Sequence, residues 1–146
     1  MNQAERTFWN KFIEATGNQQ AVLGESWRFG NSEETADELG ELVLQGIKTA
    51  TSSALDAYQK ANEPIPTVKE NTYDILLDGR GKPIAILKIT NVSVITFNQI
   101  TPEFAYKEGE GDRSLAYWRE VHQDFWGADY EEEMGVVCEE FQVVWK

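Results

Sequence analysis

Lys48 and Thr51 lie three positions apart, where a helix-forming segment ends at Gly46 and an extended segment rich in hydroxyl side chains begins. A lysine beside a pocket can act as a base or as an anchor for an anion, and a threonine can act as a nucleophile or a hydrogen-bond partner. The same K-x-x-T pattern has a structural explanation, in which Gly46 ends the helix and Lys48 compensates its C-terminal dipole. Both interpretations stay open on spacing alone.

Three carboxylates, those of Glu108, Glu110 and Asp112, fall within five residues of a glycine-rich segment. Carboxylates that are buried or forced close together suit acid–base chemistry. The same set could bind a hard cation, but its spacing does not match an EF-hand loop. We therefore predict no metal and no other cofactor, and we expect one of these carboxylates to turn inward toward Lys48.

The single histidine and the single cysteine offer little material for a zinc site or a Cys–His pair. His122 falls on or beside the apolar side of a predicted helix, where a packing role is commoner than a catalytic one. Cys138 excludes an intrachain disulfide and indicates a reducing compartment. Gly40, Gly46 and Lys48 do not meet the spacing of a phosphate-binding loop.

The charge balance restricts the kind of ligand. The 146 residues carry a formal net charge of -12, from 13 basic and 25 acidic side chains. Proteins that wrap long phosphate backbones usually show the opposite balance, so a small or nearly neutral ligand is expected unless a local basic cleft exists. The first residues lack an apolar signal core and no segment approaches membrane-spanning length, which predicts a cytoplasmic protein without a membrane partner.

Apolar periodicity predicts an α+β fold of one domain, residues 1–146, in which 1–20 form an N-terminal helical extension. Several strands interrupted by helices indicate a small, mostly antiparallel β-barrel flanked by helices. Because alternate strand residues face opposite sides, Lys48 and Thr51 converge only if Lys48 precedes the strand or a bulge intervenes. The predicted helices cover 4–16, 54–61, a segment from the cap Asn31 to about Gln45, and a segment from the cap Ser114 to Gly127. A further helix begins at Thr101-Pro102, before the loop from Glu108 to Asp112. The predicted strands cover 72–77, 84–89 with a continuation or bend over 92–97, and 136–145.

Three segments carry a resemblance to a known family: Trp27–Gly30, Leu42–Ser52 and Ala105–Leu115. With these segments the chain resembles the longer bacterial members of the activating signal cointegrator homology (ASCH) domain family. That family has a fold similar to the RNA-binding barrels of pseudouridine synthase and archaeosine transglycosylase (PUA). The resemblance therefore implies a PUA-like barrel.

One branch of this family hydrolyses the acetyl amide of N4-acetylcytidine with a lysine, a threonine and a glutamate. The resemblance implies that Lys48, Thr51 and Glu108 take these places. Thr51 would then be the nucleophile, Lys48 its base, and Glu108 the group that orients or protonates. The implied function is that of an amidohydrolase for a modified pyrimidine nucleoside.

The expected site is a cleft between the segment after Gly46 and the loop from Glu108 to Ser114. Two alternatives remain: a non-catalytic RNA-binding module, and a ribonuclease for single-stranded RNA that uses Lys48 and Ser114. The partner would be a small nucleoside or RNA, and the oligomeric state cannot be predicted. The expected substrate-binding residues are Trp27, Phe29, Ser52, Arg113, Ser114 and Trp118, among which Ser52 could donate to an oxyanion.

Overall fold

A computed structural model describes every residue from Met1 to Lys146. Five helices flank a mixed sheet of five strands, which confirms the predicted α+β class. None of the helices has both the length and the apolar composition that a membrane crossing requires. The helices are α1 (Gln3–Thr16), α2 (Glu33–Leu44), α3 (Leu55–Lys60), α4 (Pro102–Glu108) and α5 (Leu115–Trp126). The strands are β1 (Val22–Trp27), β2 (Ala50–Ala54), β3 (Thr72–Leu77), β4 (Pro83–Thr96) and β5 (Gly135–Trp145).

The strands follow the order β1-β3-β4-β5-β2 across the sheet. Strand β3 runs antiparallel to β4 and β2 runs antiparallel to β5, whereas β1 runs parallel to β3. Strands β1 and β2 stand at the two ends of this order and do not pair with each other. The hydrogen-bonded strand order therefore does not close on itself, and this mixed sheet takes the place of the small, mostly antiparallel barrel that the sequence suggested.

The chain forms two compact units. The first comprises Met1–Gly46, Lys69–Ile89 and Phe141–Lys146, and the second comprises Ile47–Val68 and Thr90–Glu140. The second unit contains Lys48, Thr51, Ser52, Glu108, Arg113, Ser114 and Trp118. The first unit contains Trp27 and Phe29.

Strand β3 is buried on both faces within the first unit, and not on one face as its alternating pattern predicts. Ile75 packs with Phe12 of α1, and its neighbour Leu76 packs with Val43 of α2. Successive strand residues point to opposite faces of a sheet, so the two helices cover opposite faces of β3. Asp74 is tolerated between Tyr73 and Ile75 because its carboxylate accepts two hydrogen bonds from β1.

The second unit is built around one apolar cluster that joins β2, β5, α4 and α5. Helix α4 begins at Thr101, whose hydroxyl accepts a hydrogen bond from the amide of Phe104, and Pro102 takes the first helical position. Helix α5 begins in the same way at Ser114. These caps fix the two helices against the strands. The buried members of the cluster are Ala50, Phe97, Ile100, Phe104, Ala105, Trp118, Val136 and Cys138.

Candidate functional site

Lys48 lies in the extended segment before β2, which begins at Ala50, as the geometry of the K-x-x-T pattern predicts. Its side chain is only 1% exposed, and its Nζ atom lies 3.2 Å from Oε1 of Glu108 and 3.0 Å from Oε2 of Glu110. Nζ also donates to the backbone carbonyl of Glu108 at 3.3 Å. A buried ammonium is costly unless it is paired and hydrogen-bonded, and these partners compensate it.

Glu108 is the last residue of α4 and is 2% exposed, so it belongs to the helix and not to the loop that the sequence suggested. While Oε1 faces Lys48, Oε2 accepts hydrogen bonds from the Ser52 hydroxyl at 2.6 Å and from the Trp118 indole. Both oxygens are thus engaged by donors, which suits the ionised carboxylate, a pure acceptor. The expectation that one carboxylate of the acidic segment turns toward Lys48 is confirmed for Glu108 and also holds for Glu110.

Gly109 allows α4 to end directly beside the segment that carries Lys48. Its φ of +74° is the left-handed conformation that ends many helices. A Cβ atom at this position would lie 2.6 Å from the carbonyl oxygen of Ile47. The amide of Thr49 donates to the carbonyl of Lys107 at 2.7 Å, which ties the two segments together on the other side. The close approach brings the lysine within reach of the helix end.

Ser52 contacts a histidine as well as Glu108. Its Oγ atom lies 3.2 Å from Nε2 of His122, and Nδ1 of His122 lies 2.7 Å from the backbone carbonyl of Trp118. The imidazole also stacks on the Trp118 indole, with ring centroids 4.1 Å apart and planes inclined by 21°. His122 therefore does pack against its own helix, as predicted, but its second nitrogen faces the site. Sequence reasoning missed this contact, although Trp118 and His122 are four positions apart on one helix face.

Thr51 does not join this cluster in the structure. It lies on β2 between Ala50, which packs in the apolar cluster, and Ser52, which contacts Glu108. Alternation along the strand directs its side chain to the opposite face. The hydrogen-bond donors to the Glu108 carboxylate are Lys48, Ser52 and Trp118, and Thr51 is not among them. The structure thus brings Lys48 and Glu108 together with Ser52 as the neighbouring hydroxyl.

Arg113 and Ser114 hold the acidic loop in place. The Arg113 guanidinium lies over the ring of Tyr106, 3.5 Å from its centroid, and donates to the carbonyl oxygens of Tyr106 and Ile47. Ser114 caps α5, and hydrogen bonds from its hydroxyl and amide lower the pKa of Asp112. Arg113 therefore contacts the segment that carries Lys48 through the Ile47 carbonyl, whereas Ser114 lines the recess described below.

Trp27 and Phe29, the other expected ring contacts, pack inside the first unit. Their rings meet edge to face with centroids 4.9 Å apart, and the Trp27 indole donates to Oδ2 of Asp74 at 3.0 Å. Phe29 is 5% exposed and packs with Phe141. Their own neighbours account for both rings as core residues. A substrate contact by either ring stays a prediction.

A small recess opens onto the cluster from the side of α5. Its volume of about 10 Å³ holds roughly one water molecule, so the recess is small. Any ligand with a ring therefore requires its lining to open. The lining consists of Ala105, Glu108, Glu110, Ser114, Tyr117, Trp118, Val121 and His122.

No set of three or more His, Cys, Asp or Glu side chains is arranged to hold a metal ion. Cys138 pairs with Ser52 across β5 and β2 and is 2% exposed. Burial, together with the negative charges of Glu108 and Glu140, raises the pKa of its thiol to about 12. The thiol therefore stays protonated at neutral pH and is a packing group.

Comparison with known families identifies the chain's relatives. The sequence model of the ASCH domain family matches residues 25–145. A search of curated proteins finds no significant match. The match includes every candidate site residue from Trp27 to His122, and also Cys138.

Solved structures give the same result. An ASCH domain from Lactobacillus crispatus is 30% identical, with a TM-score of 0.89, and the alignment covers 100% of this chain and 97% of that one. Protein EF3133 from Enterococcus faecalis is 34% identical, with a TM-score of 0.86 and coverage of 99% and 90%. Hypothetical protein PH0355 is 18% identical with a TM-score of 0.54, covers 84% of this chain and 99% of its own, and shares the fold alone.

Proposed function

Because the chain belongs to the ASCH domain family, we propose that it is an amidohydrolase that removes the acetyl group from a modified pyrimidine nucleoside such as N4-acetylcytidine. One observation carries this proposal: a buried lysine and a buried glutamate, from distant parts of the chain, meet beside a strand hydroxyl. A buried ion pair is a weak argument for a purely stabilising role, since apolar residues of similar volume often stabilise a protein equally well. Buried charged side chains that meet in this way are candidates for a functional site.

Cleavage of an amide needs a nucleophile, a group that takes its proton and a donor for the leaving amine. Strand β2 supplies two candidate hydroxyls, Thr51 and Ser52, of which Ser52 lies within hydrogen-bond distance of Glu108. The Lys48 Nζ atom lies between two carboxylates, an environment that matches an ammonium. Lys48 therefore suits the stabilisation of a developing oxyanion better than the role of base that the family resemblance implies.

The charge of the protein favours a nucleoside over a long nucleic acid. At a net charge of -12, the protein repels a phosphate backbone, whereas a nucleoside carries no phosphate. The acetylated cytosine carries an amide carbonyl, which suits a cationic donor, and an aromatic ring, which suits the indole and imidazole that line the recess. Glu110 and Tyr117 lie at the more exposed side of the lining, and their movement would admit the ring.

A second candidate function is a non-catalytic RNA-binding module, because ASCH domains are linked to RNA binding. The observation that favours it is the small volume of the recess, which leaves no room for a nucleoside without rearrangement. Catalysis and RNA binding can be separated experimentally. A binding module would retain single-stranded RNA without turning over any nucleoside.

The test is hydrolysis of N4-acetylcytidine by the purified protein, followed as release of cytidine and acetate. We expect wild-type turnover and a loss of about 100-fold or more in Lys48→Met, the size of effect that removal of one oxyanion donor produces. Lys60→Met is the matched control, because Lys60 is 65% exposed and forms only surface ion pairs. Circular dichroism establishes that each variant is folded, and RNA binding is measured on the same samples. RNA retention without nucleoside turnover would support the binding module instead.

A further inference from the structure

We propose that Ser52 and His122 form a nucleophile and base pair, and that the protein reacts through an acetyl ester on Ser52. The Oγ atom of Ser52 lies 3.2 Å from Nε2 of His122, although the two residues are 70 positions apart in the chain. The natural substrate of this pair rests on the function proposed above. The assignment of the nucleophile rests on the geometry alone and can be tested without that substrate.

The hydrogen bonds of His122 select the imidazole tautomer that a general base needs. Nδ1 faces the carbonyl oxygen of Trp118 at 2.7 Å, and a carbonyl can only accept, so Nδ1 carries the hydrogen. In the neutral ring Nε2 then has a free electron pair, and this atom points at Ser52. The stacking of the ring on Trp118 keeps this orientation. A nucleophile, a base and a group that orients the base are the three parts of a hydrolytic site.

Glu108 supplies the charge that this pair requires. Its Oε2 atom lies 3.8 Å from Nε2 of His122, so the carboxylate would stabilise the imidazolium that forms when Ser52 loses its proton. Oε2 also accepts from the Ser52 hydroxyl and the Trp118 indole, which holds the carboxylate in position. The Ser52 hydroxyl thus has two neighbouring acceptors for its single hydrogen. A rotation about its Cβ–Oγ bond transfers the hydrogen bond from Glu108 to His122.

Ser52 and His122 are both partly shielded from solvent. The His122 side chain is 14% exposed and lines the recess, whereas Ser52 is half-buried behind it. The ammonium of Lys48 binds Oε1 of the Glu108 carboxylate, while Ser52 binds Oε2. One carboxylate therefore connects the hydroxyl, the imidazole and the ammonium.

The reaction balances with water as the only co-reactant. The Ser52 oxygen attacks the acetyl carbonyl carbon, and its proton passes to Nε2 of His122. The carbon–nitrogen bond then breaks, and His122 returns the proton to the departing amine, which leaves free cytidine and acetyl-Ser52. A water molecule next gives a proton to His122 and attacks the ester. Acetate leaves, and Ser52 regains its proton.

The experiment exposes the protein to p-nitrophenyl acetate, stops the reaction with acid, and locates the added acetyl group by peptide mass spectrometry. We expect one acetyl group on Ser52 in the wild type and none in Ser52→Ala or His122→Gln. Ser53→Ala is the matched control, because the neighbouring serine lies one strand position further, on the opposite face, and should label like the wild type. Ser52→Cys keeps a nucleophile at the position and should accept an acetyl thioester, which separates chemistry from misfolding.

Acetylation of Thr51 in place of Ser52, or equal labelling of Ser52 in His122→Gln and the wild type, would overturn the proposal. Hydrolysis of N4-acetylcytidine by Ser52→Ala at the wild-type rate would also overturn it, while leaving the proposed function intact. Conversely, acetyl-Ser52 without any turnover of N4-acetylcytidine would support the pair and remove the proposed substrate. The two failures are therefore distinguishable.

Discussion

Nζ of Lys48 lies 3.2 Å from Oε1 of Glu108, which is 60 positions later in the chain, and both side chains are almost fully buried. Lys48 comes from the segment before β2, and Glu108 closes α4. The ion pair joins these two chain segments, and each buried charge is compensated by the other. Its removal therefore affects stability and, in our account, activity.

Glu108→Gln should destabilise the protein by about 3 kcal/mol, because it removes one partner of a buried charge pair. Glu110→Gln should cost about 1 kcal/mol or less, since Glu110 is 25% exposed and water can replace it. Adding Lys48→Met to Glu108→Gln should recover part of the loss, because no uncompensated charge then remains. Urea denaturation measures all three, and a larger cost for Glu110→Gln than for Glu108→Gln would refute the assigned order.

Trp118→Phe should cost about 2 kcal/mol, because it removes the indole donor to the Glu108 carboxylate and leaves the aromatic packing largely in place. Trp126→Phe serves as the control, since Trp126 packs against Phe97 and Trp118 but makes no side-chain hydrogen bond. The loss in the free energy of unfolding should be clearly smaller for Trp126→Phe than for Trp118→Phe. Equal changes in the thermal midpoint for the two variants would mean that packing, and not the hydrogen bond, explains the role of Trp118.

Gly109→Ala should be more destabilising than Gly17→Ala, although both glycines have a positive φ near +70°. An added Cβ at Gly109 would meet the Ile47 carbonyl oxygen, whereas one at Gly17 would meet nothing within 4 Å. We expect about 1 kcal/mol for Gly17→Ala from the left-handed backbone, and at least twice that for Gly109→Ala. Guanidinium denaturation compares them. Similar losses would show that the approach of α4 to the Lys48 segment is not restrictive.

Cys138 should resist alkylation in the folded protein at pH 9, because the pKa of its thiol is raised from 9.0 to about 12. The unfolded chain loses this proton at lower pH than the folded chain. The buried, protonated thiol of Cys138 therefore makes its full contribution to the free energy of unfolding below about pH 9. This contribution declines as the pH rises from 9 through 12. Cys138→Ala should show a flatter fall in this window than the wild type. Rapid modification by iodoacetamide without denaturant would contradict the assigned burial.

Local signals in the sequence were sufficient for most of the elements. The Thr101-Pro102 start of α4, the Ser114 cap of α5 and the bounds of β3 are as predicted, because each depends on neighbouring residues. Helix α2 begins after Ser32, not Asn31, because two adjacent polar residues can both serve as caps and only the folded backbone selects one.

Strand β1 was not predicted, because its formation depends on pairing with β3 and not on a pattern in its own residues. Val22–Trp27 contains a glycine and shows no regular alternation. Its pairing with β3 is interrupted between Leu23 and Ser26, where the Asp74 carboxylate accepts the amide of Glu25. A Cβ at Gly24 would lie in contact with this carboxylate, so the glycine is needed for a long-range contact.

The candidate site was predicted in part. The meeting of Lys48 and Glu108 follows from the family resemblance and from the acidic segment, and the structure places the two side chains together. Ser52 replaces Thr51 as the adjacent hydroxyl because the strand begins at Ala50, which decides the face of every later residue. The contact of His122 depends on how α5 packs against β2, which no local pattern reveals.

The central claim is that Lys48 and Glu108 act together in the hydrolysis of an acetylated nucleoside. The most direct test is kcat/KM for N4-acetylcytidine in wild type, Lys48→Met, Glu108→Gln and the double variant. Residues that work as a unit are strongly non-additive, so the double variant should be no slower than the slower single variant. Losses that multiply, or a wild-type protein that releases no cytidine, would contradict the account.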